Sequence, residues 1–187
     1  MIKYLILGLL ALILISGCIS EQISFEKTVE LTNDVWIENG IQMNGIDYNP
    51  TTALDLSNVS LTKIKDGINA LGKSNFSEKE KSGLFLEMNK SLINLIIDSK
   101  KALASSDALK SSANEICDDT GLREEYILNE TKRIDSIKRL EENFDAFDSK
   151  YKAEADELNL NKEMSSSESE ENLELFKNLD EEIKLSC

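Results

Sequence analysis

The chain has 187 residues, 41% hydrophobic and 30% charged, with 35 acids against 21 bases, a formal charge of −14, one proline, eight glycines, three cysteines and no histidine. Without histidine there is no Ser-His-Asp or Cys-His nucleophile, no imidazole base near neutral pH and no imidazole metal ligand. So few turn-forming residues exclude a sandwich, a barrel or a multi-turn α/β fold, and leave an all-α protein of long helices.

Residues 1–17 carry one base, Lys3, then an almost unbroken apolar run from Leu5 to Ile15 and the small pair Ser16-Gly17. That is the layout of a secretory signal, and the run is shorter than the roughly 20 apolar residues a membrane span needs. At Ile15-Ser16-Gly17-Cys18 the sequence resembles the lipobox of prokaryotic lipoproteins, bacterial or archaeal, in which an aliphatic residue and two small ones precede the lipidated cysteine. The resemblance covers the first 18 residues only. It implies cleavage before Cys18 and a diacylglycerol on its sulfur, and two acyl chains hold a membrane stably where one does so marginally. The alternatives are an uncleaved signal anchor and an apolar helix with a chance cysteine. The expected division is a signal peptide over 1–17, a short tether over 18–24 and one α-helical domain over 25–187, held at the extracytoplasmic face of the cell membrane.

Phe25, Val29, Trp36 and Met43 predict a first helix from about Glu21, fading at Gly40 and Gly45, with a loop over Asp47 to Pro50. Thr51 or Thr52 is placed to cap a second helix, whose Leu54, Leu61, Ile64, Ile68 and Leu71 lead to a stop near Gly72. A Ser77–Glu80 capping box opens a third. Its seam runs through Phe85, Met88, Leu92, Leu95, Ala102, Leu109, Ala113 and Ile116, with Ser99 and Ser106 filling two slots. Asp118 to Gly121 breaks this helix, and Leu122, Tyr126, Ile127, Ile134, Ile137, Leu140, Phe144, Phe147, Tyr151, Ala155 and Leu158 mark a second long one. So short a break predicts an antiparallel helical hairpin. After Ser165-Ser166-Ser167, a Ser167–Glu170 box and a stripe of Leu173, Phe176, Leu179 and Ile183 predict a final helix packed back on the bundle. The whole reads as an elongated antiparallel bundle of four to five helices.

Cys18 is the lipid-attachment candidate, which leaves Cys117 and Cys187 in an exported, oxidising setting where disulfides persist. A bridge would close about 71 residues and contribute on the order of 4 kcal/mol; free thiols and a bridge between chains are the alternatives. A final helix of about 30 Å retraces too little of the preceding one to bring Cys187 to Cys117 unless residues 159–167 run back extended. Asn58, Asn75, Asn89 and Asn129 each begin an Asn-x-Ser/Thr glycosylation motif, Asn75 being the most loop-like. The acidic run Glu168, Glu170, Glu171, Glu174, Asp180, Glu181 and Glu182 reads as a solvated face rather than a cation site. The start of a calcium-loop spacing at Asp47, Asn49 and Thr51 fails at Thr52 and Asn58, where glycine and glutamate belong. A lone Trp36 on a helical stripe reads as core.

The excess of acids repels nucleic acid and anionic headgroups, so the expected partners are the membrane, through the anchor alone, and an unidentified protein. No cofactor and no metal are expected. The functional expectation is a lipid-anchored helical-bundle lipoprotein acting without catalysis through protein contacts or as an envelope component. The alternative is an exported ligand- or cation-binding module, although solute-binding lipoproteins of transporters are usually larger, two-lobed and rich in turns. An enzyme would have to work with carboxylates or lysine, and di-metal bundles also use histidines.

Overall fold

The computed structural model describes residues 22–41, 53–112, 120–158, 160 and 166–186. Cys18, Cys117 and Cys187, the signal peptide, the 47–51 loop and the Thr51/Thr52 cap lie outside them. The described residues form an all-α bundle of six helices: α1 (Phe25–Glu38), α2 (Asn58–Leu71), α3 (Lys79–Ser111), α4 (Thr120–Asp148), α5 (Lys152–Glu157) and α6 (Ser166–Ser186). None of them is long and apolar enough to cross a membrane.

The frame is the predicted hairpin of α3 and α4. Ser136 Oγ donates to Asp98 Oδ2 at 2.7 Å and Asn143 Nδ2 to Ser91 Oγ at 2.8 Å, so seven residues forward on one helix match seven back on the other. The helices are therefore antiparallel and in step over two turns. Their seam buries Phe85, Met88, Leu92 and Leu95 against Ile137, Leu140 and Phe147. The α3 helix is also buried at Leu86, Ile93 and Ile96, because α1 and α2 pack on its other side. At 33 residues it is roughly 50 Å long.

Several helix starts differ from the sequence reading. Residues 22–24 are not helical; Ile23 forms a parallel bridge to Phe76, and Ser24 caps α1 by accepting from the Lys27 amide at 3.2 Å. The same bridge removes the Ser77 capping box. Ser77 donates instead to the Ile23 carbonyl, the helix starts at Lys79 without a side-chain cap, and Glu80 pairs with Lys150. Leu54 lies in a turn ahead of α2, whose cap is Ser57, accepting from the Ser60 amide at 3.0 Å. Lys100 Nζ anchors that turn by donating to the Leu54 carbonyl and, at 2.8 Å, to that of Leu56. The second long helix is interrupted at 149–151, where the Tyr151 ring packs on Phe147 at 5.5 Å and the chain restarts as α5.

Chain close-approach is set by one glycine. A Cβ on Gly67 would sit 2.8 Å from Val35 Cγ1, so α1 and α2 touch backbone to side chain there. Gly40, at φ 101°, supplies the left-handed turn that ends α1.

Candidate functional site

Polar chemistry inside the bundle is spent on packing. The α1 helix meets α3 through Thr28 Oγ1 and Ser82 Oγ at 3.1 Å and through Trp36 Nε1, which donates to Asn89 Oδ1 at 3.0 Å. Asn89 Nδ2 in turn donates to the Phe85 carbonyl at 2.9 Å. All four of these side chains are buried and hydrogen-bonded, which fixes the register of the two helices. Trp36 is thus core, as its place on the stripe suggested.

The four glycosylation motifs separate by burial. Asn58, at the first turn of α2, and Asn75, in the turn before Phe76, are exposed. Asn89 is fully buried and Asn129 is 9% exposed. The Asn89 nitrogen that would carry a glycan already donates to the Phe85 carbonyl of its own helix and is buried where α1 packs on α3, so the folded chain has no room for a sugar there.

Two surface features gather charge and cavity. At the end that holds the Ile23–Phe76 bridge, a cleft of about 500 Å³ is lined by Glu78, Lys79, Glu80, Lys81, Lys150, Tyr151 and Glu154. Lys81 lies 5.2 Å from the Phe25 ring centre and 5.3 Å from that of Tyr151, and bonds Glu154 and Glu78 at 2.6 Å each. These carboxylates hold its pKa above the usual lysine value, Glu154 most strongly. The second feature is a hollow of about 290 Å³ between the far halves of α3 and α4. Ser99, Ala102 and Ser106 form its floor, Tyr126, Glu130 and Arg133 one wall, and Leu54 with Leu103 the other.

The α6 helix runs antiparallel to α4 and packs on no other described helix. Its inward side chains include Leu173, Phe176 and Asp180. Asp180 bonds the buried guanidinium of Arg123, and Lys184 joins it at 3.0 Å while reaching Glu124 at 3.2 Å. Burial pushes Asp180 upward, but the bonds from Arg123 and Lys184 prevail and hold its pKa below the ordinary carboxylate value. The sequence stripe is therefore corrected by one position: Leu179 is 51% exposed and Asp180 takes its place inside. Leu175 and Leu185 are exposed as well. Of the acidic run, Glu170 pairs with Lys138, and among the described residues no group of three or more cysteines and carboxylates is arranged to hold a metal.

The chain matches no family model, no curated protein and no solved structure.

Proposed function

We propose that this protein is an exported, lipid-anchored helical bundle that acts without catalysis, presenting its far end to a protein partner at the extracytoplasmic face of the membrane. The reading rests first on the lipobox at Ile15 to Cys18 and on the absence of histidine. The observation that carries the orientation is the Ile23–Phe76 bridge. It lies five residues beyond Cys18, a reach of at most roughly 18 Å, and fixes the start of the folded body at one end of the bundle. Glu80 and Lys150 lie at that end, whereas Arg123, Asp180 and the last turn of α6 lie at the other. Exposed Leu175 and Leu179, one turn apart on α6, and Leu185 in its last turn would then lie away from the bilayer, where a protein partner can reach them.

The test is crosslinking and pull-down from intact cells, comparing the natural chain with a Cys18→Ser version. Partners captured by the natural chain and lost with the anchor support the reading. An identical set of partners, or a natural chain with its leader intact and the Cys18 thiol unmodified, argues against it.

A further inference from the structure

We propose that the hollow between α3 and α4 is a binding site for a small, uncharged, amphipathic molecule: an apolar ring or short chain with one hydroxyl or amide edge.

The hollow is built into the seam. Toward the bridge end the seam of α3 is filled by Phe85, Met88, Leu92 and Leu95, all at most 3% exposed. Continuing at the same spacing it meets Ser99, Ala102 and Ser106, which are too short to reach across to α4. A continuous seam would close here; this one leaves a hollow of about 290 Å³, open to solvent on the Leu103 side and near the small end of ligand sites, which begin at roughly 300 Å³.

Its walls are held in place from outside. The Tyr126 ring rests edge-on against Phe176 of α6, ring centres 4.7 Å apart. Arg133 forks onto Glu130, Nε to Oε2 at 2.9 Å, and its Nη2 also donates to Ser169 of α6 at 3.1 Å. Lys100 holds the Leu54 side of the hollow through two backbone carbonyls. Two contacts from α6 and one from Lys100 of α3 thus keep the hollow open.

The chemistry of the occupant follows from what lines it. Glu130 and Arg133 neutralise each other, so a charged ligand would have to break their fork. The hydroxyls of Ser99, Ser106 and Tyr126 make no hydrogen bond to another described residue and so remain available as donors and acceptors. A tyrosine phenol is already protonated at neutral pH, and burial and then the nearby Glu130 carboxylate move the Tyr126 pKa further up. Leu54, Ala102 and Leu103 supply the apolar surface.

The experiment titrates 4-fluorophenol and, separately, indole into the chain from residue 18 onward with Cys18→Ser, followed by fluorine and proton NMR. Because no membrane is present, its outcome is independent of the lipid anchor. Saturable binding at one site is expected. Ser106→Leu and Ser99→Leu, which fill the floor, should each weaken it about tenfold or more, and Tyr126→Phe about fivefold, the loss of one neutral hydrogen bond. Trp36, distant from the hollow in sequence and packed on Asn89, reports by its fluorescence that each variant is folded. Two results overturn the proposal: neither probe saturating, or affinity unchanged in both leucine variants. A natural chain that is dimeric at the assay concentration, with the probe displacing the second copy, would reassign the hollow to self-association.

Discussion

Trp36 and Asn89, 53 residues apart in the chain, meet at 3.0 Å with both side chains buried, the indole N–H donating to the amide oxygen. Each residue meets a need of the other: a buried indole requires an acceptor, and a buried amide requires partners at both ends.

Asn89→Ala should therefore cost about 2–3 kcal/mol, because it strands the Trp36 donor and opens a small void. Urea unfolding followed by Trp36 fluorescence measures it. The same burial predicts that glycopeptide mapping of protein from its natural host finds Asn89 unmodified, and that any glycan sits on exposed Asn58 or Asn75.

Asp180→Ala should detach α6 while leaving the α3–α4 hairpin folded. The buried Arg123 would lose the Asp180 carboxylate while keeping its bond to Thr120 at 3.2 Å, and breaking a buried pair from one side costs about 3 kcal/mol. Hydrogen exchange should show faster amides across 166–186 and little change in 79–111; a uniform rise across the chain would contradict the peripheral place of α6.

The same carboxylate sets a pH dependence. Its pKa is lower folded than unfolded, so it stabilises the docked helix fully above its unfolded value, near 4, and loses that contribution as the pH falls through the folded value. Exchange in α6 should accordingly be flat from pH 7 to about 5 and accelerate below about 4 relative to α3. Asp180→Asn should reduce that acid-side difference, leaving the smaller part due to the exposed Glu170–Lys138 and Glu124–Lys184 pairs.

Gly67→Ala should destabilise by about 1–2 kcal/mol although alanine is the better helix former. The new methyl would meet Val35, whose branched side chain has little rotamer freedom, at 2.8 Å. Pairing it with Val35→Ala should recover most of the loss, which a double-mutant cycle in denaturant reads directly.

Cys117 and Cys187 lie outside the described residues, but their neighbours are informative. Lys184, three residues before Cys187, bonds Glu124, and Arg123, six residues after Cys117, bonds Asp180. The final helix therefore begins opposite Glu141, bonded by Ser166 at 3.0 Å, rather than at the end of α5. This offset removes the length objection raised by a tight hairpin. Non-reducing peptide mapping of the chain purified from its natural host should recover a linked Cys117–Cys187 pair in monomeric protein, and recovery of two alkylated thiols would refute the bridge.

The helical class and the α3–α4 hairpin were legible because the seam repeats over many turns and the turn-forming residues are scarce. Local start signals were not. Ser77 has the composition of a cap, but the pairing of Phe76 with Ile23, far off in sequence, takes that serine for another task. Leu179 looked like the inward residue of α6 because it is apolar; the buried place went to Asp180, whose partner Arg123 lies 57 residues away and leaves no local pattern. The hollow had a visible trace in the two serines standing in seam slots. Its other wall, Tyr126 with Glu130 and Arg133, becomes recognisable only once the hairpin register is known.

The contact between Ile23 and Phe76 also governs how the molecule bears a load. Ile23 donates to the Asn75 carbonyl at 2.8 Å and accepts from the Ser77 amide at 3.0 Å, so tension arriving from the N-terminus meets these two bonds before it reaches Phe25. The strain passes sideways into the root of the longest helix. The short first helix is thus spared from being unwound turn by turn, and the body should resist tugging as a unit.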